Sequence, residues 1–260
     1  MTQGIDIKQD GRVLVVTNDS PATRNALTPE FYLNFRAALG KADKDPGVGA
    51  VVLTGAGDFF CSGGNLKGLQ ARRLLDEAGR RASLDKLHDL IRAMRACAKP
   101  IVAAVEGGAA GAGVSLALAC DLLVAAAPAS FSVAYVKIGL TPDGGATYFL
   151  SRALPRQLVT ELCMTGQPVT ATRLATFGLV NRLVEPGQAR DEAVRFAAEL
   201  ARGPGQSLAR IKELCSAASG NNLDSQLELE AQFMAKALGS ADGAEGIDAF
   251  LEKRTANFSK

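Results

Sequence analysis

Residues 99–121 read KPIVAAVEGGAAGAGVSLALACD: an apolar run of strand length, a turn of glycine and alanine, and an almost wholly apolar helix. The run 101–105 follows Pro100 and stops at Glu106-Gly107-Gly108, which predicts a buried strand. Gly111-Ala112-Gly113 carries no bulky side chain, so a ligand can closely approach the peptide N–H groups where a helix over 112–119 begins. A first helical turn has unpaired donors and a partial positive charge, which suits a developing oxyanion. With so few polar side chains, the chemistry offered here is backbone chemistry, although small residues also let a buried helix pack tightly. A dinucleotide site does not fit, because G-x-G-x-x-G fails at Leu116 and no acidic residue closes a second strand ~20 residues on.

Toward the N-terminus, 5–8 and 12–17 flank Gln9-Asp10-Gly11, a hairpin signal. Thr28-Pro29-Glu30 supplies an N-cap, a proline for the first helical position and an early acid. A helix is predicted from 29 to about 43, with Leu33, Phe35, Leu39 and Ala42 on its apolar face. Residues 49–54 read as a strand, and charged helical segments follow to about 97. Toward the C-terminus, 122–126 reads as another buried strand, 131–136 as an extended segment and 139–145 as a turn-dense loop, with helices beginning near Gly145 and Pro155. Beyond Pro186, the segments 188–201, 207–218, 223–238 and 244–255 all read as amphipathic helices. The class is α/β, with an all-helical tail suited to a second subdomain or an oligomer interface.

The chain has 260 residues, of which 47% are hydrophobic, enough to bury a full core. Lys and Arg number 29 against 27 Asp and Glu, tryptophan is absent and aromatics make up 5%. The basic residues are dispersed apart from Arg72-Arg73 and Arg80-Arg81, which argues against a nucleic-acid surface. The five cysteines, Cys61, Cys97, Cys120, Cys163 and Cys215, are far apart and form no CxxC or Cys/His spacing. Reduced thiols and no structural metal are expected. The opening MTQGIDIKQD lacks the regions of an export signal, and the uncharged runs 107–120 and 122–136 are shorter than the ~20 residues of a membrane span. A cytoplasmic protein is the expectation, with no membrane or nucleic-acid partner. His88 is the sole histidine. Lying between Leu87 and Ile91, it reads as a packing residue and leaves a His-based triad poorly supported. Cys61 and Cys120 have no basic neighbour and read as packing residues too.

Six motifs stand in fixed order along nearly the whole chain: RNALTPE (24–30), FCSGGNLK (60–67), KPIVAAVEGGAAGAG (99–113), ACDLLVA (119–125), GLTPDGGATYFLSR (139–152) and EGIDAFLEKR (245–254). In this combination the sequence resembles the crotonase, or enoyl-CoA hydratase/isomerase, superfamily. The resemblance implies an α/β spiral of ββα units forming two sheets. It implies an acyl-CoA-binding core over 1–200 and a C-terminal helical region over 201–260 that drives a homotrimer or a dimer of trimers. It also implies a CoA thioester as substrate, with no permanently bound cofactor. By the same resemblance the N–H groups of Gly64 and Ala112 grip the thioester oxygen, and Arg24, Ala26, Ser62, Gly64 and Leu66 contact the coenzyme A moiety. Arg24 could equally be a solvated loop charge. Two such donors stabilise a thioester enolate by several kcal/mol, on the order of 3 per donor, which makes the α-carbon acidic without choosing the reaction.

Hydratases of that superfamily activate water with two glutamates, and the corresponding positions here are Ser115 and Tyr135. Serine is no base unaided, and an unperturbed phenol with a pKa of ~10 is protonated at neutral pH. Asp143 is the acid that remains in a matched loop. Loops of the GLxPDGG type occur in CoA-ester isomerases, among them the ring-expanding isomerase of phenylacetate breakdown, where an aspartate in this loop is assigned acid–base work. The resemblance therefore implies that Asp143 shuttles a proton in a double-bond shift of an unsaturated acyl-CoA. Pro-Asp-Gly is equally an ordinary turn sequence. Glu106 reads as a strand-end residue facing away, and Ser115 as a group that could orient substrate or water. The alternatives are an enoyl-CoA hydratase with a non-standard acid set and a catalytically silent CoA-thioester binding protein.

Overall fold

The computed structural model describes residues 4–258. Strands β1 (Gly4–Asp10) and β2 (Val13–Asp19) pair antiparallel from Gly4↔Asp19 to Asp10↔Val13. Helix α1 (Pro29–Lys44) starts as the sequence dictates, with the Thr28 side chain accepting from Phe31 N and proline in its first turn. Its buried face is Phe31, Tyr32, Phe35, Ala38, Leu39 and Ala42, whereas Leu33, expected on that face, is 63% exposed. Strand β3 (Ala50–Gly55) leads to α2 (Leu66–Arg72) and α3 (Glu77–Ala96), and β4 (Ile101–Val105) follows. A tight Glu106-Gly107 turn then passes the chain to β5 (Gly108–Ala110) and α4 (Ala112–Ala119).

Strand β6 (Leu122–Ala126) has the predicted bounds. The extended segment expected over 131–136 is shorter: β7 (Ser130–Ser132) ends early, and a 3-10 helix occupies Ala134–Ile138. Turn bonds from Gly139 N to Val136 O and from Leu140 N to Tyr135 O replace a ladder there. Helices α5 (Ala146–Ala153) and α6 (Arg156–Thr165) begin where expected. The chain continues through β8 (Val169–Thr170), α7 (Ala171–Ala175), β9 (Arg182–Val184), α8 (Ala189–Ala201), α9 (Gly205–Ala217), α10 (Leu223–Leu238) and α11 (Ala241–Leu251).

One sheet has the order β1-β2-β3-β4-β6-β9, parallel beyond the first hairpin, and the other runs β5-β7-β8. β4 is buried along its whole length because both faces of the large sheet are covered, which its continuous apolar run requires. On one face Val52, Val102 and Val124 pack against Ala193, Ala197 and Ala201, spaced four apart along α8. On the other, Val51, Leu53, Ile101 and Ala103 pack under α1, α3 and α4. These observations establish the α/β class and the two sheets.

An ion cluster joins the C-terminal helices to this core. The Asp121 carboxylate, just after α4, takes Lys212 Nζ at 2.8 Å, Arg95 at 3.2 Å and the Ile101 N–H at 2.9 Å. Lys212 also donates to the carbonyls of Met94 and Lys99, so its buried ammonium is fully partnered. Among the described residues, no helix is long and apolar enough to cross a membrane.

Candidate active site

Two loops carry the glycine motifs, and a buried asparagine fixes the first. Asn25 is fully buried and left-handed (φ 57°), a backbone region that asparagine enters at less cost than most residues. Its Nδ2 donates to Ala56 O at 2.8 Å and Phe59 O at 2.6 Å, and its Oδ1 accepts from Ser20 N at 2.9 Å. Asn18 Nδ2 in turn donates to Asn25 O at 2.7 Å. Further along, Ser62 N donates to Arg24 O, Ser62 Oγ to Thr23 O, and Leu27 N to Gly63 O at 2.7 Å. Segments 20–27 and 56–64 are thereby clamped together, with Ala26 buried between them.

The second loop meets the first backbone to backbone. Cys61 bridges Ala109 of β5, and Ala110 N donates to Cys61 O at 2.9 Å. A Cβ added to Gly63 would stand 2.6 Å from Ala110 O and 3.2 Å from Ala112 N, and one on Gly113 would stand 2.4 Å from Cys61 O. Only hydrogen fits at those two positions. Among the described residues, neither the Gly64 N–H nor the Ala112 N–H meets an acceptor. Two adjacent turns thus offer free backbone donors, one of them on the first residue of α4, where the helix dipole is positive.

Asp143 lies in the loop after the 3-10 helix. Its Oδ1 accepts the Tyr135 hydroxyl at 2.7 Å, while its carbonyl accepts Ser115 Oγ–H at 2.8 Å and Ala146 N–H at 3.2 Å. Ser115 is fully buried, and a Cβ on Gly144 would stand 2.9 Å from Ser115 Cβ. The turn therefore roofs Ser115 and leaves no room for a glutamate-length side chain there. The Tyr135 ring is beside the other turn, its Cζ 3.8 Å from where a Cβ on Gly111 would be. Burial, then the Asp143 charge, raises the Tyr135 pKa and keeps the phenol protonated. Tyr32 is raised in the same way, chiefly by burial, with Arg72 opposing and Asp143 and Cys61 adding to it.

The remaining candidates lie around or away from these turns. Leu66 is 67% exposed at the start of α2, whose first turn is capped by Asn65 Oδ1 accepting from Gly68 N. Arg24 is exposed at the rim with its guanidinium 5.4 Å above the Phe59 ring. Glu106 is turned elsewhere, its carboxylate accepting the Ala189 N–H at the start of α8. His88 sits half-buried on α3 beside Asp85. Burial pushes the Cys61 thiol up to about 12 and raises Cys120 too, so neither supplies a thiolate at neutral pH. Among the described residues no cluster of His, Cys, Asp or Glu could hold a metal ion.

The sequence reading passed over two residues and one contact. Asn25 lay inside a quoted motif, and its tolerance of left-handed backbone between turn residues and an apolar run was the available signal. Tyr32, a polar aromatic next to the apolar stripe of α1, was another. The partner of Tyr135 had no sequence signal, because the 3-10 helix that folds it back onto Asp143 was read as extended.

The sequence matches the enoyl-CoA hydratase/isomerase family profile over residues 8–260. Among solved structures, an enoyl-CoA hydratase from Polaromonas sp. JS666 superposes with a TM-score of 0.95 at 45% identity, covering 97% of this chain and 98% of that one. The 1,2-epoxyphenylacetyl-CoA isomerase of Escherichia coli K12 is 34% identical over 252 residues, 95% of each chain. The crotonyl-CoA hydratase of Syntrophomonas wolfei is 31% identical over 258 residues, 98% of each.

Proposed function

The chain belongs to the enoyl-CoA hydratase/isomerase family, and from that premise we propose that it shifts a double bond in an unsaturated acyl-CoA, with Asp143 as the proton shuttle. The observation that carries this reading is the arrangement at positions 115, 135 and 143. Where a hydratase would place two glutamates, this chain has a roofed serine and a phenol that donates to the one carboxylate of the loop.

In the proposed reaction, Asp143 takes a proton from the α-carbon of a 3-enoyl thioester. The C–H electron pair moves into the thioester carbonyl, and the N–H groups of Gly64 and Ala112 hold the resulting enolate oxygen. On collapse the double bond moves to the α,β position and Asp143 returns the proton to the γ-carbon. One carboxylate is sufficient, whereas hydration also needs a positioned water. Arg24, Ala26, Ser62, Gly64 and Leu66 are proposed to line the coenzyme A moiety, which places the thioester at the mouth of the two turns.

Residues 201–260 are proposed to drive assembly as a homotrimer or a dimer of trimers. Helix α10 buries no residue within the chain, and Leu223, Met234, Leu238, Phe250 and Leu251 of α10 and α11 are each more than half exposed. A surface of that kind invites a partner copy.

Hydration is the second reading, favoured by the hydratases among the relatives. Incubation with 3-enoyl-CoA and 2-enoyl-CoA in heavy water separates the two. Interconversion of the two double-bond isomers supports the shuttle, with deuterium in the product marking the share of protons exchanged with solvent, and a 3-hydroxyacyl product overturns it. An Asp143→Asn variant that binds the thioester normally must lose isomerase turnover, and full retention removes Asp143 from the mechanism.

A further inference from the structure

The tethering of Asp143 has a consequence for how its carboxylate can work. Its backbone is held by two hydrogen bonds to its carbonyl, from Ser115 Oγ and Ala146 N, and its side chain by one, from the Tyr135 hydroxyl to Oδ1 at 2.7 Å. Tyr135 is itself held: its ring is partly buried against the main apolar core, with Cζ 3.8 Å from where a Cβ on Gly111 would be. The phenol therefore stands near the turn that offers the Ala112 N–H and donates to the loop that offers the carboxylate. Its raised pKa, caused first by burial and then by the Asp143 charge, keeps it a donor throughout the working pH range.

We propose that Tyr135 is a positioning residue that ties down Asp143 Oδ1, leaving Oδ2 as the single oxygen that carries the proton between the α- and γ-carbons. This inference rests on the isomerase reading above. Proton removal breaks the α C–H bond and forms Oδ2–H, with the electron pair moving to the thioester oxygen. Return breaks Oδ2–H and forms the γ C–H bond. A carboxyl group that cannot rotate keeps that proton facing the substrate, so much of it reaches the γ-carbon without exchanging with water. A carboxyl group freed on both oxygens turns toward solvent and loses it.

The test compares wild type and Tyr135→Phe, which removes only the hydroxyl, using 3-enoyl-CoA carrying deuterium at the α-carbon in ordinary water. Wild type is expected to deliver label to the γ-carbon of the product. The variant is expected to wash most of that label out and to lose kcat by about tenfold or more, the factor that accompanies loss of one hydrogen bond to a charged group. KM and thioester affinity should move less than about twofold, because the hydroxyl does not grip the coenzyme moiety. Unchanged label transfer and unchanged kcat in Tyr135→Phe overturn the tether. Failure of the underlying reading is separately visible: an Asp143→Asn variant with full turnover removes the shuttle, while an inactive Asp143→Asn beside an unaffected Tyr135→Phe removes the tether alone.

Discussion

Replacing Asn25 tests whether the clamp between segments 20–27 and 56–64 holds the first glycine turn, the one proposed to bind the thioester oxygen. Asn25→Gly keeps a residue at ease with φ 57° but deletes two donated bonds and one accepted bond, all at a fully buried position. At roughly 1 kcal/mol net per bond, the loss is about 3 kcal/mol. Asn25→Ala loses the same bonds and also forces a side-chain-bearing residue into the left-handed region, adding about 1 kcal/mol. At about 2–4 °C per kcal/mol for a chain of this size, Asn25→Gly should melt about 6–12 °C below wild type and Asn25→Ala a few degrees lower still. Thermal melts at fixed protein concentration read this directly. A chromophoric enoyl-CoA thioester, whose absorption moves to the red when its carbonyl is polarised, reports on the turn itself and should shift less in both variants. If Asn25→Gly melts with wild type and gives the full red shift, the clamp does not hold that turn and the reasoning fails.

Two further outcomes follow from close contacts and buried phenols. Gly113→Ala puts a methyl 2.4 Å from Cys61 O and must part the two turns, whereas a Cβ on Gly64 meets only the Leu69 side chain, at 3.7 Å and beyond. Turnover assays should therefore show Gly64→Ala near wild type and Gly113→Ala down by about a hundredfold, the cost typical of a displacement near 1 Å. Equal effects would contradict the geometry. In alkaline titration, Tyr32 and Tyr135 have folded pKa values raised above the unfolded ~10, so the stability they contribute is full below that pH and is lost as pH rises through it. Phenolate absorbance should show two of the three tyrosines ionising only as the chain unfolds, and early ionisation of all three would refute the burial.

What the sequence made legible was set by local rules, and what it hid was set by tertiary contact. β4, α4 and β6 stand at the bounds read from the sequence because each is an apolar run, broken only by Ser115 in α4, that is set off by proline, glycine or aspartate. On α1, Phe35, Leu39 and Ala42 are buried as read, and Leu33 alone is misplaced, the face being completed by Phe31, Tyr32 and Ala38. β8 and β9 are two and three residues long, too short to carry a periodicity. At the site, the glycine turns were readable because only small residues permit backbones to touch. The bond from Tyr135 to Asp143 was not, since it depends on the chain folding back across eight positions.

The donors proposed to hold the enolate belong to the main chain, in turns packed too closely for a methyl group at Gly63 or Gly113. Proline apart, which has no N–H, no side-chain substitution can delete such groups, only displace them. Diversification or laboratory redesign toward new acyl groups is therefore pushed outward, to positions such as the exposed start of α2, where walls can change while the two turns stay constant. A scaffold arranged in this way can be redirected to many thioesters without relearning how to acidify the carbon beside the carbonyl.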